Sequence, residues 1–366
     1  MAVQQTAGFP KYIAFFANSV LETAIWTFAE LAIADHLAAA NEPQTADEIA
    51  KKQGWNSEYL YRVLRAVVDA DIVSEIESSQ TMEPEKTNRF QLTEDGRFLT
   101  SNHPSKARYF ILWESSPLAR TTLFYLPQLV CEGPSKPNGF QRATNNDLFF
   151  NFIEKEENKN IAHNFNETMT SMSTHSSQFI VKSVDFGRFN TIVDIGGNFG
   201  VLLASIMEKY STIKQGICFD LASVVQSVEA NNEFEKRNIP KERYQYLAGD
   251  MFDAQTIPQA DAYIMKHIIH DWDDDQAINI LKSIGTAANG KPITIFIIDV
   301  VVLPRNEENK LTNQTAHVLD IHMMLMLHAK ERTQNQMVYL CEQTGFRFKQ
   351  LYRTETPYSI IEAVLN

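Results

Sequence analysis

The stretch KHIIHDWDDD, residues 266–275, carries two histidines and five charged residues directly after the apolar run ADAYIM. An imidazole titrates near neutral pH, so a histidine delivered by a buried strand to a sheet edge can act as a general base. His267 and His270 both qualify. In an extended strand they face opposite sides, so one of the two serves, and the residue types alone do not choose. Asp273, with Gln276 three residues on, fits a helix cap, and Asp274 and Asp275 suit the first turn of that helix through its dipole. The aspartates therefore read as structural. A metal reading is poor, because no partner ligands stand at a fixed spacing.

A second group of candidates ends three earlier apolar runs. VDIGGNFG supplies Gly196, Gly197 and Gly200, which let a strand–helix turn approach a ligand closely. Counted from Gly196, Asn198 and Val201 occupy positions where the dinucleotide fingerprint wants glycine. Asp194, two places before the first glycine, suits a ligand with a positive group. Asp220, ending CFD, can accept both hydroxyls of a ribose, as NAD and S-adenosylmethionine sites alike require. Asp250 and Met251, in GDMF, can accept from an adenine amino group and lie against its ring.

These groups need elements to position them. From about residue 190, short apolar strands alternate with helical segments: NTIVDIGG, QGICFDL, YQYLAGDMF, ADAYIMKHIIH, PITIFIIDVVVLP, FRFKQLY and YSIIEAVL. That rhythm predicts a doubly wound, mostly parallel α/β sheet, whose ligands bind at the C-terminal strand ends. One helix is expected over residues 222–234. Upstream, TADE (45–48) is a capping box and Asn56 starts a further helix with Leu60, Val63, Leu64, Val67 and Val68 at helical spacing. Two short helices followed by a hairpin at FQLTEDGRFLT suggest a winged helix. Residues 12–40 read as one or two helices buried nearly all round, a pattern that suits a subunit interface.

The chain has 366 residues, a net charge of -12 and three scattered cysteines. Its length predicts two domains and its cysteines reduced, cytoplasmic thiols. Residues 1–110 hold 10 Lys/Arg against 15 Asp/Glu, so the winged helix is expected to scaffold or dimerise rather than read nucleic acid. Glu22, Glu30 and Asp35 interrupt the N-terminal apolar run, so no membrane span is expected.

The segments VDIGGNFG, FDL, GDMF, ADAYIMKHIIHDWDDD and KERT (330–333), in this order and spacing, resemble the S-adenosylmethionine-dependent O-methyltransferases of the caffeic-acid and acetylserotonin (hydroxyindole) type. The resemblance covers nearly the whole chain. It implies a class I methyltransferase fold with a seven-stranded sheet, an N-terminal winged-helix-like dimerisation domain over 1–110, a helical region over 111–185 lining the acceptor pocket and a cofactor domain over 186–366. It also implies a homodimer and metal-independent methyl transfer from S-adenosylmethionine, leaving S-adenosylhomocysteine, to a hydroxyl of a small aromatic acceptor. Residue by residue, Gly196, Asp220, Leu221, Asp250, Met251 and Lys266 match cofactor contacts, His270 the base and Glu331 an acid that positions it. Asp299 is the nearest candidate for a second such acid, one residue further from Pro304 than the usual pattern. Met323, Met324 and Met326 are expected to touch the acceptor. Asn198 stands for a family glycine, and His328 and Ala329 for a glycine pair. A nicotinamide-dependent oxidoreductase, a non-catalytic regulator and transfer to a nitrogen or carboxyl group are the competing readings.

Overall fold

The computed structural model describes residues 7–78, 82–228, 231–304 and 310–365. The chain divides into two compact units, residues 1–120 with 163–171, and 121–162 with 172–366.

The first unit opens with helices Phe9–Glu30 and Ile33–Ala38, followed by β1 (Gln44–Thr45), helices Ala46–Gln53 and Ser57–Val68, β2 (Val73–Ile76) and β3 (Arg89–Leu92). The three strands pair antiparallel in the order β1-β3-β2. Local chemistry sets the helix starts: Thr45 and Glu48 form the expected reciprocal cap, and Asn56 accepts from the backbone of Tyr59. Phe28, Ile33, Ile49, Leu60, Leu64, Val67 and Phe90 fill the core. The first helix is not buried all round within one chain, and its outward apolar face is compatible with the expected subunit interface. Only Phe28 and Ala29 of it are buried, while Phe9 (75% exposed), Tyr12 (66%) and Phe16 (71%) face outward. Among the described residues no helix is long and apolar enough to cross a membrane.

The second unit is built on a seven-stranded sheet. Its strands are β4 (Thr191–Ile195), β5 (Gln215–Asp220), β6 (Tyr244–Ala248), β7 (Ala262–Lys266), β8 (Ile293–Asp299), β9 (Arg347–Arg353) and β10 (Ser359–Leu365). The order is β6-β5-β4-β7-β8-β10-β9. Strands β6, β5, β4, β7 and β8 run parallel, and β10 pairs antiparallel with both β8 and β9. Side chains alternate between two cores, one on each face. Val193, Ile195, Tyr263, Met265, Ile295 and Ile297 enter one; Ile192, Ala262, Ile264, Phe296 and Ile298 enter the other. Burial on both faces explains the near-continuous apolar runs. The helix expected over 222–234 is two short ones, Ala222–Gln226 and Glu233–Lys236, and positions 229 and 230 lie outside the described residues.

The order of connection reverses between β4 and β7. A crevice at the C-terminal ends of such strands is where doubly wound sheets bind ligands. Asp220, Lys266 and Asp299 are the last residues of their strands, Gly196 follows β4, and Asp250 lies two residues beyond β6. The topology thus delivers most of the candidate side chains to one edge.

Candidate active site

Strand β7 ends at Lys266, and His267 adopts φ 57°, the left-handed region. Its N–H donates to the Ile298 carbonyl (3.2 Å) and to Asp299 Oδ1 (3.1 Å), which holds this bend. Residues Ile269–Asp271 then form a turn of 3₁₀ helix. The expectation that the two histidines face opposite sides therefore fails, because the chain is no longer extended there. Their rings lie 5.0 Å apart between centroids, and His267 also packs 5.0 Å from Tyr358.

The surroundings separate them. His270 is buried, its Nδ1 lies 2.8 Å from Glu331 Oε1, and its Nε2 lies 3.4 Å from Asp271 Oδ1. Burial alone lowers its pKa, but Glu331, Asp299 and Asp271 outweigh that and raise it to about 10. Burial and the positive charges of Lys266 and His270 hold the pKa of His267 well below the usual imidazole range. One imidazole is poised to be charged and its neighbour is kept neutral.

Glu331 is fixed from two sides. Its carboxylate accepts from His270, and its N–H donates to Asp320 Oδ1 (3.0 Å) in the helix Lys310–Leu327. Burial raises Asp299 to about 6 and Asp271 to about 7, against the pull of His270. Asp299 Oδ2 and Glu331 Oε2 are buried with no hydrogen-bond partner among the described residues. Buried, unsatisfied carboxylate oxygens are costly, and this surplus of negative charge suits a cationic ligand.

Lys266 donates to Ser173 Oγ (3.3 Å), and its ammonium lies 5.1 Å from the Tyr358 ring centre. Burial lowers its pKa to about 8, opposed by Asp299 and Asp194. Asp194 is buried beneath the glycine loop rather than at its mouth, and burial raises it to about 7.

The loop itself is shaped by packing. Gly196 has φ 67°, and a Cβ there would stand 2.3 Å from Ile268 Cδ1, so the loop docks against the turn that carries His270. Asn198 has φ 49°, a conformation that asparagine tolerates better than most residues. Its N–H donates to Asp220 Oδ2 (2.8 Å), while Asp220 Oδ1 accepts from the N–H of Leu221 (2.7 Å). These bonds orient the Asp220 carboxylate at the strand end. His328 is likewise left-handed, at φ 58°.

The remaining candidates lie further out. Asp250 accepts from the N–H of Phe252 (2.9 Å); Met251 and Phe252 are partly buried against one sheet face, and the Phe252 ring lies 4.9 Å from that of Trp272. Leu221 is 38% exposed. Met323 and Met326 are buried on the helix Lys310–Leu327, and Met324 is half-buried. Asp273 caps the helix Asp274–Ala287 through Gln276 as expected. Asp274 does more than favour a dipole, since it binds both Lys330 and Arg332 at 2.8 Å.

Sequence reasoning missed Asp271, Asp320 and Arg332. The signal for Asp271 was its adjacency to the base. Asp320 and Arg332 act through contacts 11 or more positions away, which spacing does not reveal. Among the described residues no group of three or more histidine, cysteine or carboxylate side chains is arranged to hold a metal ion.

A mostly parallel, doubly wound sheet of seven strands in this order is that of the class I methyltransferase fold. Residues 123–347 match the O-methyltransferase domain family, and residues 13–102 match the O-methyltransferase dimerisation domain. The chain belongs to the S-adenosylmethionine-dependent O-methyltransferases. It is 30% identical to O-methyltransferase 7 of Dictyostelium discoideum over 87% of this chain and 84% of that one. It is 28% identical to the phenazine O-methyltransferase PhzM of Lysobacter antibioticus, covering 93% and 91%. The crystal structure of human N-acetylserotonin methyltransferase shares the fold, with a TM-score of 0.83 at 20% identity and 99% coverage of both chains.

Proposed function

We propose that this chain methylates a hydroxyl of a small aromatic acceptor, phenolic or hydroxyindole, with His270 as general base. The observation that carries this reading is the buried His270–Glu331 pair, 2.8 Å apart, at the C-terminal end of β7. Two of the relatives carry the names of aromatic acceptors, which supports that substrate class.

Gly196, Asp220, Leu221, Asp250, Met251 and Lys266 would hold S-adenosylmethionine, and the orphaned carboxylate oxygens of Asp299 and Glu331 favour a ligand of its charge. Its sulfonium supplies an activated methyl group, leaving S-adenosylhomocysteine. Glu331 holds the ring of His270 in one orientation through Nδ1 and stabilises the imidazolium; Asp299 adds to the field and fixes the His267 bend. Nε2, 3.4 Å from Asp271 Oδ1, is the ring nitrogen left to take the acceptor's proton. A phenol of pKa ~10 is a poor nucleophile at neutral pH, and removal of its proton by a positioned imidazole contributes ~10²–10⁴-fold. A second positive charge in the site lowers the proton affinity of His270 and frees it to accept. Met323, Met324 and Met326 would meet the acceptor, residues 1–110 would pair two copies into a homodimer, and no metal takes part.

The test combines thermal shift with labelled methyl transfer. S-adenosylhomocysteine should stabilise the protein and NADH should not. A panel of phenols, catechols and hydroxyindoles should include acceptors of the labelled methyl group, while amines and carboxylic acids should not. Stabilisation by NADH, or label on the amines or carboxylates alone, would overturn the reading.

A further inference from the structure

The segment Lys330–Thr333 closes around the turn that carries His270, and one side chain does most of the closing. Arg332 is fully buried. Its Nη1 donates to the Ile269 carbonyl (2.8 Å) and its Nη2 to the Trp272 carbonyl (2.7 Å), on either side of His270 and Asp271. Nε and Nη2 also donate to Asp274 Oδ1 at 3.0 and 2.8 Å, and Lys330 donates to Asp274 Oδ2 at 2.8 Å. The Arg332 carbonyl accepts from the N–H of Val302 (3.0 Å), which ties the segment to the chain leaving β8.

We propose that Arg332 is a positioning residue: it straps the turn bearing His270 to the segment bearing Glu331, and so keeps the imidazole and its acid in register. The dipeptide Glu331–Arg332 thereby fixes both the backbone of His270 and the partner of its Nδ1. A rigid planar fork is required, because two carbonyls and a carboxylate must be met at once, and a lysine ammonium cannot span them. An Arg332–Asp274 ion pair serving stability alone would not need the two carbonyls that bracket the base. Misplacement of a reacting group by about 1 Å can cost ~10²-fold in rate.

The part of this claim that concerns turnover rests on the proposed reaction; the part that concerns His270 does not. The experiment therefore follows two readouts in Arg332→Met and Arg332→Lys: ring ¹⁵N NMR titration of His270, assigned with His270→Gln, and methyl transfer with S-adenosylhomocysteine affinity measured alongside. In Arg332→Met the His270 midpoint should fall by about a unit or more as contact with Glu331 loosens. Turnover should drop roughly 30–100-fold, with S-adenosylhomocysteine affinity within about three-fold of wild type and Arg332→Lys between the two. A folded Arg332→Met in which His270 titrates as in wild type overturns the proposal, whatever its turnover. If Arg332→Met does not fold, Asp274→Ala decides by the same titration, since that side chain is 45% exposed and its loss slackens the same strap. Should the wild type transfer no methyl group to any acceptor, the proposed reaction falls while the titration still decides the role of Arg332.

Discussion

His270 sits in the combined field of three carboxylates, and Glu331 is the nearest of them. Glu331→Gln keeps the shape and removes the charge. Its effect has a definite sign: the His270 pKa falls from about 10, so the rise of kcat/KM with pH moves to lower pH, by about 1–2 units. The ceiling of the profile should drop as well, because the imidazolium loses its partner. An unmoved rise would remove Glu331 from its role. The same pair affects folding. A pKa of about 10 in the folded chain against 6.5 for an ordinary imidazole means the pair stabilises the fold fully below pH ~6.5 and loses that contribution as pH rises through about 10. The difference in Tm between wild type and Glu331→Gln should therefore narrow from pH 6 to pH 10. Binding offers a further check at this scale. Isothermal calorimetry in buffers of different ionisation enthalpy should show proton release when cationic S-adenosylmethionine binds and markedly less for the neutral thioether S-adenosylhomocysteine; equal release would contradict a displaced His270 proton.

At the scale of elements, the glycine loop after β4 and the histidine turn after β7 form one docked pair, with Ile268 packed where a side chain at 196 would stand. Gly196→Ala adds a Cβ at a positive φ and forces Ile268 aside, so it should cost about 1–3 kcal/mol in denaturant unfolding and lower cofactor affinity as well. A loss below about 0.5 kcal/mol would mean the docking is soft. The strands and the caps at Thr45, Asn56 and Asp273 were legible in the sequence because each depends on residues within a few positions. The left-handed bend at His267 was not, since it is held by hydrogen bonds to Ile298 and Asp299, some 30 positions away. The His270–Glu331 pair spans 61 positions and was reachable only through family resemblance. Arg332 stood beside Glu331 in the same motif, yet nothing in its spacing shows which carbonyls it meets.

For the molecule as a whole, the outward apolar residues of the helix Phe9–Glu30 and the dimerisation domain over residues 13–102 point to pairing of two copies through this region. The sequence read that helix as buried nearly all round in a way that suits a subunit interface; the described residues leave Phe9, Tyr12 and Phe16 uncovered, and a second copy would cover them. Phe16→Glu should shift the protein from dimer to monomer in sedimentation velocity at micromolar concentration, and an unchanged dimer would place the interface elsewhere. The central claim concerns the imidazole at 270, and its most direct test is the single-turnover rate of labelled methyl transfer by His270→Ala beside wild type. The rate should fall ~10²–10⁴-fold while S-adenosylhomocysteine binds as tightly as before. Transfer at an undiminished rate by His270→Ala would contradict the account.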